Sequence, residues 1–238
     1  MKIACISDIH GNKLALDNVL EDIKKEGATK ILVLGDLAMG GYDPNYTIEK
    51  IFSLENVDII QGNTDELIVN YSDEMYNSMH PKNPLMAGAL KLDVVEIKEK
   101  NKELLKNLPE NKVVDIDGIK ILMAHGSPRR QDENIFADTP LNEVEEMVKN
   151  SPCDLIFVGH THIPCGFSLE SGKTVVNVGS VGRSMTEDKM PIYLLMTVNS
   201  DGSFSFEHKK VKYDNKKVAE IIKNRNFEES LDFSKLYL

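Results

Sequence analysis

Side chains that bind metal ions recur in this sequence, each directly after a short apolar run. Five such runs are followed by aspartate, histidine or asparagine, and four of the six histidines fall at these points instead of being scattered. The seven residues are Asp8, His10, Asp36, Asn63, His125, His160 and His162. Mixed carboxylate, imidazole and amide ligands suit Mn²⁺, Fe²⁺, Zn²⁺, Co²⁺ or Ni²⁺ better than Ca²⁺ or Mg²⁺. The residue types therefore predict a centre for borderline divalent ions.

The number of candidate ligands indicates two ions. Seven ligands are more than one ion needs when positions stay open for water and substrate. Two ions that share one carboxylate would use them all, and Asp36, the one candidate carboxylate that stands alone on its loop, is the natural bridge. Metal pairs about 3.5–4 Å apart are a recurrent solution for in-line attack on phosphorus. We therefore expect two divalent ions per chain, with Mn²⁺ favoured, and a small phosphorylated substrate.

The elements that position these residues follow from the hydrophobic periodicity. Apolar runs at 3–6, 31–34 and 57–60 alternate with helical patterns, the first of which Asn12 can cap. This order predicts parallel strands with crossover helices, in an α/β domain whose ligand site lies at the carboxyl ends of the strands. Residues i and i+2 of an extended segment face the same side, so each Asp-x-His or His-x-His pair is expected to point into one cavity.

The chain after residue 65 has a different pattern. Residues 66–110 are helical in composition and contain Pro81 and Pro84, which predicts a helical excursion that acts as a lid. Strand patterns follow at 113–116, 119–123, 155–158, 166–169, 175–178, 193–198 and 204–209. Thr139 and Pro140 are expected to open a helix as N-cap and first residue. Residues 215–224 predict a terminal helix, followed by a loosely docked tail. Two packed mixed sheets with helices outside them are the expected architecture.

Composition limits the class of protein. With 238 residues, the chain suits one domain over 1–238, including a C-terminal helix and tail at 213–238. A net charge of −10 repels nucleic-acid phosphates, which argues against broad nucleic-acid binding. No apolar run approaches the roughly 18 residues of a membrane span, so no membrane association is expected. Three separated cysteines and the absence of a signal-peptide pattern favour a cytoplasmic location. A homo-oligomer is compatible with the sequence.

The motifs, taken in order, resemble those of a known family. Asp8-x-His10, Gly35-Asp36, Gly62-Asn63, His125 and Gly159-His160-x-His162 are similar to the motif set of the calcineurin-like metallophosphoesterases, over about residues 1–183. The resemblance implies a four-layer α/β sandwich that holds a dinuclear metal centre. It implies that the first ion is held by Asp8, His10, Asp36 and His162. It implies that the second is held by Asp36, Asn63, His125 and His160.

The resemblance also implies an activity. The motif Gly62-Asn63-x-Asp65 and the run 177–180 look like the small bacterial and archaeal phosphodiesterase branch. The expected enzyme is a phosphodiesterase in which a hydroxide that bridges the two ions attacks phosphorus. Asp36, Asn63 and His125 are the expected catalytic residues. The alternatives are a phosphomonoesterase or a hydrolase of nucleotide anhydrides such as dinucleoside polyphosphates, and, more remotely, a non-catalytic scaffold.

One position departs from the family pattern. Many members carry histidine directly after the metal-binding asparagine, where it is thought to protonate the leaving group, but this chain has Thr64. A threonine hydroxyl cannot serve as an acid near neutral pH. The group that protonates the leaving oxygen is therefore open, and His80 in the lid is a secondary candidate.

Substrate contacts are assigned to residues beside the motifs. Arginine forks suit phosphate oxygens, and Arg129 and Arg130 directly follow the His125 loop. Asn12 and Thr64 complete the set of expected substrate-binding residues. Arg183 is interpreted as an exposed arginine, although a contact with phosphate is an alternative.

Overall fold

The first part of the chain builds a sheet from parallel strands and crossover helices. A computed structural model describes residues 1–238. The first elements are β1 (Lys2–Ile6), α1 (Lys13–Glu26), β2 (Lys30–Val33), α2 (Pro44–Phe52) and β3 (Val57–Ile59). Both strand pairs, β1 with β2 and β2 with β3, are parallel. Asn12 caps α1 by accepting a hydrogen bond from the backbone N–H of Ala15. The predicted strand–helix order of this first part is confirmed.

Four helices and no strand occupy the predicted excursion. They are α3 (Asn63–Val69), α4 (Asp73–Met79), α5 (Pro84–Glu96) and α6 (Glu99–Lys106). The side chains of Ser72 and Asn83 cap α4 and α5. The excursion begins slightly earlier than predicted, because Asn63 already lies in the first turn of α3.

The middle of the chain forms a second sheet. Its elements are β4 (Asn111–Ile116), β5 (Ile119–Ala124), α7 (Leu141–Val148), β6 (Leu155–Val158), β7 (Cys165–Ser168) and β8 (Thr174–Asn177). The sheet has the order β4-β5-β6-β8-β7, with β5, β6 and β8 parallel and both edge strands antiparallel. The prediction that Thr139 caps α7 is wrong. Its hydroxyl accepts from the backbone N–H of Phe136 instead, and the helix begins after Pro140.

The last hairpin returns to the first sheet. Strands β9 (Ile192–Val198) and β10 (Phe204–Lys210) extend that sheet to the order β10-β9-β1-β2-β3, with β9 antiparallel to β1. The inner faces of the two sheets bury one apolar cluster between them, which includes Ile3, Cys5 and Leu32 from one sheet and Ile121, Met123 and Phe157 from the other. Helices cover the outer faces, so the expected α/β sandwich of two mixed sheets is confirmed.

The C-terminal segment, residues 224–238, is packed into the structure, and its prediction as a loosely docked tail is wrong. It follows α8 (Asn215–Lys223) and contains α9 (Ser230–Ser234) and a short 3₁₀ helix (Lys235–Tyr237). Phe233 and Tyr237 are 0% and 1% exposed, in a cluster with Ala89 of α5 and the apolar face of α8. Burial of these aromatic side chains stabilises the docked position. The assignment of all 238 residues to one domain stays a prediction. No helix has both the length and the apolar character that crossing a membrane requires.

Candidate metal centre

The loops that follow the strands bring the seven predicted ligands to one place. Asp8 and His10 follow β1, Asp36 follows β2, and His160 and His162 follow β6. The ligand atoms of Asp8, His10, Asp36 and His162 all lie within 4.8 Å of one another, and all four residues are buried. The other three predicted ligands adjoin this group: Nε2 of His125 is 3.4 Å from Asp36, the backbone N–H of His160 donates to Asp8, and the ring of His160 contacts Asn63.

The backbone at these residues is strained. Asp8, His10, Asp36, His160 and His162 have φ angles of 55°, 50°, 54°, 67° and 60°. Non-glycine residues seldom adopt this left-handed region, which costs about 1–3 kcal/mol per residue and persists mainly at functional sites. The expectation that the paired ligands converge because they lie on extended backbone is wrong. They converge because the chain turns sharply at each ligand.

The candidate centre has two halves, and in the half that contains His10 and His162 the two imidazoles face each other. His10 donates through Nδ1 to the carbonyl of Met39 at 3.0 Å, and His162 donates through Nδ1 to the carbonyl of Arg183 at 2.7 Å. These carbonyls hold the proton on Nδ1, which leaves the Nε2 lone pairs free. The two Nε2 atoms are 3.0 Å apart. Two lone pairs at this distance repel unless a cation lies between them and the nearby carboxylates.

The other half contains His125, His160 and Asn63. His125 donates through Nδ1 to the carbonyl of Leu34 at 2.6 Å, while its buried Nε2 has no hydrogen-bond partner. Nδ1 of His160 lies 2.9 Å from Oδ1 of Asn63. The His125 and His160 rings are edge to face, with centroids 5.3 Å apart. The His160–Asn63 pair therefore lies beside the His125 ring, whose Nε2 is without a partner.

Asp36 lies between the two halves. Its Oδ1 accepts a hydrogen bond from the backbone N–H of Thr64 at 2.9 Å. Its Oδ2 is 3.6 Å from Nε2 of His10 and 3.4 Å from Nε2 of His125. Gly62 makes this placement possible, because a Cβ at that position would overlap the Asp36 carboxylate. A backbone hydrogen bond thus fixes Oδ1 of Asp36, whereas Oδ2 faces the imidazole nitrogens of both halves.

The electrostatics and the free atoms fit divalent cations. Burial raises the pKa of Asp8, but the imidazoles of His162 and His125 outweigh it and lower that pKa to about 2. Burial lowers the pKa of His125, and the charge of Asp36 outweighs it and raises that pKa to about 10. Oδ1 of Asp8 and Nε2 of His125 are buried without hydrogen-bond partners. Orphaned buried polar atoms are costly unless a ligand satisfies them, and this donor set suits borderline metals.

Sequence reasoning missed Asp65 as part of the site. Its carboxylate accepts hydrogen bonds from the backbone N–H groups of Asp36 at 2.8 Å, Gly62 at 3.0 Å and Leu37 at 2.9 Å. Burial, with the charge of Asp36, raises the pKa of Asp65 to about 7. The available signal was its spacing, because an acidic residue three positions after the N-cap commonly bonds back to the cap. Asp65 ties the Asp36 loop to the start of α3.

The four predicted substrate-binding residues have differing positions. Both polar atoms of Asn12 contact backbone, at Gly182 and Ala15, and the hydroxyl of Thr64 donates to the carbonyl of Ala38 at 3.1 Å. The exposed guanidinium of Arg129 pairs with Glu133 at 2.6 Å, and that of Arg130 pairs with Asp132 at 3.0 Å. Both arginines line a cleft that reaches Asn63. Substrate contact by these four residues stays a prediction.

The structure places His80 and Arg183 in surroundings that the sequence did not predict. His80 contacts Glu229 of the C-terminal segment at 3.3 Å, and it belongs neither to the cluster of ligand atoms nor to the clefts beside it. Arg183 was expected to be exposed, and this is wrong, because it is only 7% exposed. The reason is the docked C-terminal segment, whose Phe233 packs against the guanidinium.

The fold and the site together define a class of α/β sandwich proteins with a buried cluster of aspartate and histidine at the strand ends, which could hold metal ions. Residues 1–201 match the family model described as the calcineurin-like phosphoesterase superfamily domain. The chain therefore belongs to the calcineurin-like phosphoesterase family.

Individual relatives resemble the chain over nearly its whole length. It is 33% identical to "Uncharacterized protein MJ0912" of Methanocaldococcus jannaschii, over 94% of this chain and 93% of that protein. The structure of hypothetical protein PH1004 from Pyrococcus horikoshii OT3 matches with a TM-score of 0.85 and 25% identity, over 98% of this chain and 97% of that one. A metallophosphoesterase from Sphaerobacter thermophilus matches all of both chains with a TM-score of 0.78 and 23% identity, which shows the shared fold.

Proposed function

We propose that the protein is a phosphodiesterase that works with two divalent metal ions per chain, with Mn²⁺ favoured. The first ion is held by Asp8, His10, Asp36 and His162, and the second by Asp36, Asn63, His125 and His160. When bound, the ions supply activation of water and neutralisation of charge on the phosphoryl oxygens. The position of Asp36 is the observation that carries the proposal, since its free Oδ2 lies within 3.6 Å of imidazole nitrogens from both halves.

The chain's own residues position and orient the reacting groups. The carbonyls of Met39, Leu34 and Arg183 fix three imidazoles so that Nε2 faces the centre. Such oriented ligands need little reorganisation during the reaction, which favours catalysis. Asp36, Asn63 and His125 are proposed as the catalytic residues. Oδ2 of Asp36 lies 3.4 Å from Nε2 of His125, and Asn63 directly precedes Thr64, whose backbone N–H donates to Oδ1 of Asp36.

Metal analysis combined with a substrate panel tests the proposal. The panel contains phosphodiesters, phosphomonoesters and nucleotide anhydrides, assayed with Mn²⁺, Fe²⁺, Zn²⁺, Co²⁺ and Ni²⁺. We expect two ions per chain and the highest kcat/KM on a phosphodiester. Preference for a phosphomonoester or an anhydride would favour the runner-up activities, and metal binding without any turnover would favour the scaffold role. A cytoplasmic location and assembly into oligomers stay predictions.

From the threonine at position 64 we predict how the hydrolysis rate depends on the pKa of the leaving group. Thr64 is buried and its hydroxyl is engaged with Ala38, so this position offers no acid. General acid assistance is typically worth about 10²–10⁴-fold in rate. We expect high activity on aryl diesters or anhydrides, poor activity on alkyl monoesters, and a steep dependence of rate on leaving-group pKa. The measurement is a series of esters with graded leaving-group pKa.

The variant Thr64→His supplies the missing group. Its rate gain is expected to be larger on alkyl than on aryl leaving groups, while the control Thr64→Asn, which offers no acid, leaves the dependence steep. A shallow dependence in the wild-type protein would show that another group already donates the proton and would contradict the prediction.

A further inference from the structure

Arg183 is a buried cation without a carboxylate partner. The other three arginines each form an ion pair, Arg129 with Glu133, Arg130 with Asp132 and Arg225 with Asp93. Arg183 is 7% exposed, and its guanidinium lies 3.7 Å from Met86 Sδ, 3.4 Å from Nε2 of His10 and over the ring of Phe233, with no carboxylate among these partners. Buried charges are normally paired, because desolvation of an isolated charge is costly. An anion that binds beside Arg183 would supply the missing partner.

The location of the guanidinium identifies the kind of anion. Nη2 of Arg183 lies 3.4 Å from Nε2 of His10, in the half of the centre that also holds Asp8 and His162. A guanidinium beside a divalent cation is repelled unless an anion lies between the two charges. The fork of N–H donors matches the oxygens of a phosphoryl group. A phosphoryl oxygen shared by the metal centre and Arg183 satisfies both conditions.

The space beside Arg183 is open to a ligand. A cleft of about 340 Å³ is lined by Arg183, His160 and His162, and also by Met86, Phe136 and Leu236. Leu236 belongs to the C-terminal segment, and Met86 belongs to α5. The cleft therefore connects the predicted metal ligands, the guanidinium and the outside of the protein.

The main chain of Arg183 is anchored independently of its side chain. Its backbone N–H donates to Oγ of Ser180 at 3.0 Å, and its carbonyl accepts from Nδ1 of His162 at 2.7 Å. Gly182 is held against the Asp8 loop, where its N–H donates to the Asp8 carbonyl at 2.8 Å. Replacing the side chain therefore leaves the carbonyl that orients His162 in place.

We propose that Arg183 binds a non-bridging oxygen of the substrate's phosphoryl group, and that Phe233 of the C-terminal segment holds the guanidinium in position. The inference rests on the proposed phosphoesterase function and adds the residue that recognises the anion. The carbon at the centre of the guanidinium lies 5.5 Å from the centroid of the Phe233 ring, a distance typical of cation–π contacts. This contact makes the C-terminal segment a positioning element for the substrate site.

Binding of inorganic phosphate to the Mn²⁺-loaded protein tests the role of Arg183. In Arg183→Gln, calorimetry is expected to show a Kd for phosphate that is about 10- to 100-fold higher. Arg183→Lys keeps the charge but loses the fork, so an intermediate Kd is expected. Lys216→Gln, which removes an exposed positive charge from α8, is the matched control and keeps the wild-type Kd. Elemental analysis is expected to show the same metal content in all four proteins.

The outcomes separate this inference from the proposed function. Equal phosphate affinity of Arg183→Gln and wild type, or no phosphate binding by the wild type, overturns the role of Arg183. Loss of metal from Arg183→Gln without loss of affinity in the loaded fraction also overturns it. If phosphate affinity falls as expected but no ester is hydrolysed by the wild type, the proposed function fails while the anion site stands. With active enzyme, Arg183→Gln is expected to raise KM for the ester.

The role of Phe233 has its own pair of variants. Phe233→Leu keeps an apolar side chain and removes the aromatic face, and the Kd for phosphate is expected to rise about 3- to 10-fold. Phe227→Leu is the matched control, because Phe227 packs against Phe233 in the same segment but does not contact the guanidinium. Thermal unfolding checks that both variants are folded. Equal phosphate affinity of the two variants overturns the positioning role of Phe233.

Discussion

Replacing Asp36 by asparagine is expected to lower the rate of phosphodiester hydrolysis by about 10³-fold or more, since loss of Lewis-acid activation is worth several kcal/mol. The substitution keeps the shape of the side chain and its hydrogen bond from Thr64, but it removes the charge from the atom that faces both His10 and His125. Metal content measured by elemental analysis is expected to fall at both sites.

Two comparison variants make this test specific. Asp154→Asn removes a carboxylate of the same type at the start of β6, the end of the strand opposite the centre, and is expected to keep wild-type rate and metal content. His162→Gln removes a ligand that is proposed for one ion and is expected to deplete mainly that ion. Fully active enzyme with one tightly bound metal would contradict the shared-carboxylate arrangement.

Replacing Arg225 by methionine is expected to lower the free energy of unfolding by about 3–5 kcal/mol, because it leaves a buried carboxylate without its partner. The guanidinium lies 2.7 Å from Asp93 and 2.5 Å from Glu96, and it also donates to the carbonyl of Gly41. Asp93 is fully buried, and burial raises its pKa although the Arg225 charge lowers it. Urea denaturation of the metal-loaded protein gives the measurement.

The same contacts connect α5 and the start of the C-terminal segment with the metal centre. The second oxygen of Asp93 accepts from the backbone N–H of Gly40 at 2.9 Å, next to Met39, whose carbonyl orients His10. The double variant Asp93→Leu with Arg225→Met removes both charges and is expected to recover part of the lost stability. Lys98→Met breaks the exposed pair with Glu49 and is expected to change stability little. Wild-type stability of Arg225→Met would show that the buried pair contributes nothing.

Local patterns were sufficient to predict the strand–helix order and the seven candidate ligands. Apolar runs and the Asn12 cap involve residues close in sequence, so they can be recognised without knowledge of the fold. The convergence of the candidate ligands could be predicted because the candidates follow apolar runs, and because the carboxyl ends of parallel strands share one edge of a sheet; that they bind metal stays a prediction. Thr64 in place of histidine was equally visible, since it depends only on the neighbouring motif.

Tertiary structure decided what depends on contacts between distant segments. Strand β9 pairs with β1 across nearly 200 residues, and the C-terminal segment docks on α5 and buries Phe233 and Tyr237. That docking, rather than any local pattern, turned Arg183 from an expected exposed side chain into a buried cation beside His10. The left-handed backbone at the ligands has the same origin, because such strain persists only where surrounding packing and hydrogen bonds enforce it. A sequence pattern shows which side chains of a segment can be buried, whereas the tertiary structure determines which segments pack against one another.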